Sequence, residues 1–300
     1  MLRITAVLAA ALALSAPAVA QVPDRDPGPT ELEGVVVEGR RLSETIERFV
    51  DDVVAPPPGR GPARWDRKVC VGALNLRREA AQVVVDQVSR VALNLGLEPG
   101  DPGCKPNIFI IASSDGEALA KALVALKPRA FRPNYGGAAR GRMALARFQA
   151  SAEPVRWWHV SMPMTETGEP AVRLPGGGPP MIREDGSRLT TQIQNDLLGA
   201  LVIVDLEKMD GVSFQQLGDY IGMVAMAQID PDAETGAYDT VLNLFDAPRA
   251  VDGLTDWDRS YLTALYDAEL NRRAASHQAG EVAGLMFRDR LRAQADEAGE

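Results

Sequence analysis

The chain of 300 residues has very few of the side chains that most often carry enzyme chemistry. It contains two histidines, His159 and His277, and two cysteines, Cys70 and Cys104. A zinc protease of the H-E-x-x-H type needs two histidines four residues apart on one helix, with a glutamate between them as general base. The histidines of this chain are far apart, which excludes that motif. We predict neither a metal nor another cofactor.

Basic residues are also scarce relative to acidic ones. The chain has 32 Lys and Arg against 41 Asp and Glu, a formal net charge of -9. Nucleic acids and anionic membranes are bound by clustered lysines and arginines. The short basic stretches, such as "RRL" at 40–42 and "LRRE" at 76–79, are typical of solvated helix faces. We therefore expect no nucleic-acid partner.

Long apolar runs are missing except at the start of the chain. An apolar stretch from Ile4 to Leu14 precedes the small-x-small pattern Ala18-Val19-Ala20. This order is typical of a secretory signal peptide at 1–20, cleaved between Ala20 and Gln21. No later window approaches the about 18 apolar residues of a membrane span. We predict export to the periplasm or the medium, with no membrane span after cleavage.

The two cysteines stand at comparable places in a predicted β-α-β unit. "KVCVGALNL" and "CKPNIFIIASS" resemble strands, and "REAAQVVVDQVSRVALNLG" between them resembles a helix. Parallel strands place Cys70 and Cys104 at the same end of the sheet, where a disulfide can form in an oxidising compartment. Two buried free thiols are the alternative. A metal site is less well supported, because two thiolates lack further ligands.

The pattern of elements predicts one α+β domain at 65–296 with a flexible segment at 21–64 before it. This segment is expected to hold a short strand, "GVVVEGRR", and an amphipathic helix that begins at Ser43. Apolar residues of the helix share one face, which should dock on the domain: Ile46, Phe49, Val50 and Val53. The domain itself should have a β-α-β start, a mixed sheet with packed helices and a helical C-terminal part.

The stretch "SFQQLGDYIGMVAMAQIDPD" at 213–232 has the layout of a catalytic helix. A strand and a tight turn at Asp210-Gly211 lead into it, and Ser213-x-x-Gln216 is a capping-box pattern. In the natural zinc-protease register, the His, Glu and His positions hold Asp219, Tyr220 and Met223. A methionine is not a zinc ligand. A buried core helix, with Ile221, Val224, Ala225 and Gln228 facing inward, explains the same pattern.

Two other stretches could carry chemistry. "ASSDG" at 112–116 places Ser114 in a strand-turn-helix setting, where His277 could complete a catalytic triad. Helix capping by Ser113, Ser114 or Asp115 explains the same residues. In "RWWHV", alternation puts Trp157 and His159 on one strand face, and an exposed tryptophan near Arg156 would suit a peptide or sugar surface. Coverage of the core by both tryptophans is the alternative.

Five blocks, "RKVCVGALNL", "PGCKPNIFII", "PVRWWHVSM", "DYIGMVAMAQIDPD" and "GLTDWDRSYLTALYD", resemble a family of uncharacterised exported alphaproteobacterial proteins. That family is similar in layout to a zincin-like, metalloprotease-like domain and lacks the HExxH motif. The resemblance covers residues 35–290. It implies a signal peptide, the Cys70–Cys104 bridge and a zincin-like fold, but no activity.

These observations predict an exported soluble protein that is a non-catalytic binding or structural module of the cell envelope on a zincin-like scaffold. The candidate cleft consists of Trp157, His159, Asp219 and Tyr220, and its ligand would be a protein, peptide or glycan of the envelope. The alternative is a secreted hydrolase with a non-standard active site near His159 or Ser114.

Overall fold

A computed structural model describes residues 31–66, 68–133, 139–174 and 190–299, although not the side chains of 31–38 and 299. The predicted signal peptide and its cleavage site between Ala20 and Gln21 lie outside these residues. The chain divides into two compact units, 1–38 and 39–300. Only helical backbone at 31–38 is described in the first unit, and all of the packing below belongs to the second.

The first helix, α1, spans Glu31–Val53. The strand predicted from "GVVVEGRR" at 34–41 is therefore wrong, because these residues are helical. Three consecutive valines favour a strand, but no proline stands between them and the strong helix formers that follow, so the helix extends through them. The predicted apolar face is confirmed. Its four residues are at most 1% exposed and belong to the main core: Ile46, Phe49, Val50 and Val53.

A four-stranded mixed sheet forms the centre of the fold. Its strands are β2 (Val71–Leu74), β4 (Ile108–Ser113), β6 (Ile193–Asp205) and β5 (Val155–Thr165), in this spatial order. The first three are parallel, whereas β5 is antiparallel to β6 at the sheet edge. Short strands β1 (Lys68–Val69) and β3 (Glu98–Pro99) form a separate parallel pair. The predicted α+β class and the β-α-β start are confirmed.

Helices complete the two hydrophobic clusters that contain the residues of the sheet. The larger cluster includes residues of α1, α2 (Arg78–Asn94), α6 (Phe214–Met226), α7 (Asp256–Asp267) and α8 (Ala275–Gly299). The smaller one includes residues of α3 (Gly116–Leu126), α4 (Pro128–Phe131) and α5 (Arg142–Ala150). Because side chains alternate along a strand, neighbouring residues Trp157 and Trp158 of β5 belong to different clusters. The edge strand thus contributes to both.

The disulfide predicted between Cys70 and Cys104 is present, with a Cα–Cα distance of 6.1 Å. Cys70 stands between β1 and β2, and Cys104 precedes β4 in the parallel unit. Asn107 holds the two segments together next to the bridge, because its Oδ1 accepts a hydrogen bond of 2.7 Å from the Cys70 amide. A disulfide in this position is compatible with a protein exported to an oxidising compartment.

Helix α6 is almost completely buried. The predicted capping box is present: the Ser213 side chain accepts from the Gln216 amide, and the Gln216 side chain accepts from the Ser213 amide. Ten consecutive residues, 217–226, are buried. Glycine allows α2 to approach closely, because a Cβ atom at Gly218 would lie 2.6 Å from the Cβ of Gln87. The interpretation as a core helix therefore holds for most of its surface.

Candidate functional site

A pocket of about 540 Å³ lies beside the edge strand β5. Among the described residues, no strand pairs with the outer side of β5 before Met164. The pocket is formed by β5, α5 and its flanking loops, one residue of α6, and the chain that follows α6. The lining residues used below are Arg140, Arg147, Glu153, Arg156, Trp157, His159, Tyr220, Asp232, Phe245 and Asp246. Three of the four residues predicted for the cleft therefore line the same pocket, namely Trp157, His159 and Tyr220.

His159 is held in one neutral form at the wall of the pocket. Its Nε2 lies 2.8 Å from the carbonyl oxygen of Val224. Because a carbonyl oxygen only accepts hydrogen bonds, Nε2 carries the proton and Nδ1 is an unprotonated acceptor. Burial is the main cause that lowers the pKa of His159 to about 4, and the charge of Arg140 lowers it further. The ring is therefore neutral at pH 7 and is a weak general base.

Tyr220 lines the pocket from the middle of α6. The residue is 7% exposed, and its ring makes edge contacts with Phe245 at 4.9 Å and with Trp157 at 6.1 Å between centroids. No described residue forms a hydrogen bond with its hydroxyl, and this oxygen is not among the polar atoms sealed from solvent. Burial, and then the charges of Glu153 and Asp246, raise the pKa of Tyr220. The hydroxyl thus stays protonated.

Both tryptophans of β5 are buried, each 6% exposed. The Trp157 indole N–H donates to the Ile229 carbonyl at 3.0 Å, and that of Trp158 donates to the Phe131 carbonyl at 3.0 Å. Of the two interpretations, the one in which both tryptophans cover the core therefore holds, and neither is an exposed binding residue. Trp157 still forms part of the pocket wall. It presents a small apolar surface there rather than an open binding platform.

Two ion pairs join α5 and its preceding loop to the chain after α6. Arg140 binds both carboxylate oxygens of Asp230, at 2.8 and 2.9 Å, and Arg147 binds Asp232 at 2.8 Å. These pairs were not predicted from the sequence, since the two partners of a pair lie about ninety residues apart along the chain. No local pattern could have found this contact. It fixes the two sides of the pocket relative to each other.

Arg156 is the most unusual charged residue beside the pocket. It is 2% exposed, and none of its three guanidinium nitrogens has a hydrogen-bond partner among the described residues. A Cβ atom on Gly116 would lie 3.0 Å from its Nη2, so the guanidinium packs directly on the start of α3. Burial lowers the pKa of Arg156, and the charge of Asp205 opposes this. Because its nitrogens are sealed from solvent, this charge does not face the pocket space.

Asp219 does not belong to the pocket, which corrects the predicted cleft. Its Oδ1 accepts a hydrogen bond of 2.5 Å from the Gln87 side chain of α2. Its Oδ2 lies against Gly253, where a Cβ atom would be 2.3 Å away. Consecutive residues of a helix point about 100° apart, so Asp219 and its neighbour Tyr220 face different surroundings. Met223 is fully buried in the core.

The residues of the predicted triad are not joined. Ser114 lies in the exposed turn before α3, and His277 is exposed on α8. Among the described residues no hydrogen bond links them. The cap of α3 is Asp115, whose side chain accepts from the Ala118 amide at 2.8 Å. The capping interpretation therefore explains this motif.

Comparison with known proteins gives no significant match to a family model, to a curated protein or to a solved structure. Within the part of the chain that the structure describes, no three His, Cys, Asp or Glu residues are grouped to hold a metal ion. The helices in the same part include none long and apolar enough to cross a membrane. Function must therefore be inferred from the pocket itself.

Two perturbed side chains, His159 and Tyr220, share this pocket. Strongly shifted pKa values that coincide with a cavity are typical of functional sites. Here both shifts favour the uncharged form, so the pair forms a neutral, hydrogen-bonding wall. The arrangement can orient a small polar ligand against aromatic rings. Neither group is poised to exchange protons at neutral pH.

Proposed function

We propose that this protein is an exported, non-catalytic binding module of the cell envelope, with a zincin-like scaffold. The observation that carries the proposal is the pocket beside β5. Two residues that line it, His159 and Tyr220, each carry a polar atom, Nδ1 and Oη, to which no described residue forms a hydrogen bond. Buried polar groups in native proteins are nearly always hydrogen-bonded. Atoms left open in a pocket are therefore suited to a ligand.

The size and lining of the pocket favour a small ligand or one end of a larger one. A volume of about 540 Å³ lies within the range of small-molecule sites, and the lining combines charged and polar side chains with aromatic rings. A peptide terminus, a side chain or a single sugar would fit this description. A protein, peptide or glycan of the envelope could present any of these groups.

The scaffold proposal is supported by the path of the chain into α6. Strand β6 ends at Asp205, and a short 3-10 helix (Leu206–Lys208) and a turn that includes Gly211, with φ of 77°, lead to the capped start of α6. In a zinc protease of the H-E-x-x-H type, the two histidines and the glutamate stand on a helix, and α6 is the helix that we propose to correspond to it. Here Tyr220 faces the pocket from the middle of this helix.

The pocket can be tested by filling it. Ala152 is an exposed loop residue at its rim, and Ala250 is an exposed turn residue that does not line it. Mature protein should be titrated by NMR with short peptides and with cell-wall oligosaccharides. We expect at least one class to bind wild type and Ala250→Trp, and to bind Ala152→Trp about tenfold more weakly or worse, equivalent to at least about 1.4 kcal/mol. Equal binding to all three proteins would overturn the proposal, and so would no binding at millimolar concentrations.

Catalysis is tested separately by elemental analysis and peptidase assays on the purified protein. Stoichiometric zinc together with peptidase activity would overturn the non-catalytic assignment. Hydrolysis that is lost in His159→Ala would instead establish the alternative hydrolase. Hydrolysis that is lost in Ser114→Ala would instead show that the active site lies at the turn before α3.

A further inference from the structure

The polar groups of the pocket that remain unused are almost all hydrogen-bond acceptors. His159 Nδ1 carries no proton, because Nε2 donates to the Val224 carbonyl. Glu153 and Asp246 line the pocket, and among the described residues neither carboxylate has an ion pair or a side-chain hydrogen bond. The Tyr220 hydroxyl can accept as well as donate.

The basic residues of the pocket are already occupied or enclosed. Arg140 and Arg147 form ion pairs with Asp230 and Asp232. The guanidinium nitrogens of Arg156 are sealed from solvent. The charged groups of the pocket that are neither paired nor enclosed are therefore negative, while the charge of Arg140 still acts on His159.

The negative charges line the same pocket as the Tyr220 ring. Burial is the main cause that raises the pKa of Tyr220, and the charges of Glu153 and Asp246 raise it further. The rings of Trp157, Tyr220 and Phe245 meet at 72° and 74°. Aromatic rings around an anionic rim favour a cation, because a ring face attracts positive charge.

We propose that this pocket selects ligands that present a primary ammonium group. The ammonium lies between Glu153 and Asp246, donates hydrogen bonds to Tyr220 Oη and His159 Nδ1, and rests against the aromatic wall. A peptide amino terminus, a lysine side chain and an amino sugar all carry this group. The inference rests on the proposed binding function and names the chemistry of its ligand.

Three probes of similar size that differ in one group test the selectivity: 2-phenylethylammonium, 2-phenylethanol and 3-phenylpropanoate. Their dissociation constants should be measured by NMR titration at low salt with wild type, Glu153→Gln, Asp246→Asn and Tyr220→Phe. Asp252→Asn is the matched control, because Asp252 is exposed in the same region of the chain and does not line the pocket. Each variant should first give a wild-type circular dichroism spectrum.

We expect wild type to bind the ammonium probe about tenfold more tightly than the alcohol and to bind the carboxylate most weakly. Each of Glu153→Gln and Asp246→Asn should weaken ammonium binding by roughly two- to fivefold, the range of exposed ion pairs, and should leave alcohol binding unchanged. Tyr220→Phe should weaken the ammonium and alcohol probes alike. The Asp252→Asn control should behave as wild type.

Equal affinity for the three probes, or an ammonium preference that survives both neutralising substitutions, would overturn the inference. No binding of the ammonium probe at millimolar concentration would overturn it too. The binding function itself is judged by Ala152→Trp and the ligand panel, so the two failures can be told apart. If Ala152→Trp blocked binding but the three probes bound equally well, the proposed binding function would stand and only the ammonium preference would be refuted.

Discussion

His159 should make the protein less stable as the pH falls. Its pKa in the folded protein is about 4, below the about 6.5 of an unfolded chain. Between these values the unfolded chain binds a proton that the folded protein does not, so stability falls as the pH is lowered through this window. This residue should remove up to about 3 kcal/mol between pH 7 and pH 4. Urea denaturation of wild type and His159→Gln at both pH values measures the difference, and an equal loss in the two proteins would contradict a neutral, buried histidine.

Asp196 in β6 should have the opposite effect. Burial, and then the charge of Asp66, raise its pKa to about 6, and Arg64 opposes them. The folded protein binds this proton more tightly than the unfolded chain, so stability is lost as the pH rises from about 4 to 6. Asp196→Asn should therefore raise the free energy of unfolding by about 1–2 kcal/mol at pH 8, with little change at pH 4.

Urea denaturation at pH 4 and pH 8 measures this effect of Asp196→Asn, and Asp252→Asn is the exposed control. If Asp196→Asn destabilised the protein at pH 8, the attraction of Arg64 would outweigh the cost of burying the charge.

Single residues of the site were only partly predictable. Alternation along β5 correctly placed Trp157 and His159 on one face, because a strand fixes side-chain direction within two residues. The same local reasoning failed at Asp219, since the rotation of α6 about its axis is set by its packing on α2. No sequence pattern pointed to Glu153 and Asp246, because their role depends on whether other side chains pair with them in the folded protein.

At the scale of elements, the close contact of α2 and α6 depends on a glycine. A Cβ atom at Gly218 would lie 2.6 Å from the Cβ of Gln87, and a Cβ atom cannot turn away by a rotamer change. Overpacking of this kind costs about 1–3 kcal/mol, which offsets the gain of up to about 1 kcal/mol when alanine replaces glycine in a helix. Gly218→Ala should lower the free energy of unfolding.

A matched control for this substitution is Gly284 in α8, where an added Cβ would meet nothing within 4 Å. Gly284→Ala should raise stability by up to about 1 kcal/mol, through helix propensity alone. Urea denaturation compares both variants with wild type. A stabilised Gly218→Ala protein would show that α2 can move away without cost.

Elements with a strong end signal were predicted well. The capping box predicted at Ser213 starts a helix, because side-chain hydrogen bonds at a helix start are local. The N-terminal residues 34–41 were predicted wrongly as a strand. The strand propensity of three valines is weak, and the residues on both sides of them are helical.

At the scale of the whole molecule, the order of elements was enough for the α+β class and the parallel start. Strand order was not predictable, because β5 ends at Thr165 and its partner β6 begins only at Ile193. The pocket depends on the same long-range contacts. The pocket is formed by four segments that ion pairs and ring contacts join only in the folded protein. Some of its residues could therefore be predicted from the sequence, but its boundaries could not.

The disulfide affects the stability of the whole chain, because it reduces the conformational entropy of the unfolded state. It closes a loop with a sequence separation of 34, for which the chain-entropy model gives about 4 kcal/mol, and measured losses are about 2–5 kcal/mol. The double variant Cys70→Ser/Cys104→Ser should therefore unfold at a clearly lower urea concentration than wild type. Dithiothreitol should lower the midpoint of wild type towards that of the variant and leave the variant unchanged.

Neither cysteine lines the pocket, so the folded double variant should bind the ammonium probe as wild type does under conditions where both are native. A double variant as stable as oxidised wild type would show that the bridge does not constrain the unfolded chain. Loss of probe binding in a variant with native circular dichroism would show instead that the bridge also shapes the pocket. The two measurements thus separate the effect of the disulfide on stability from any effect on the site.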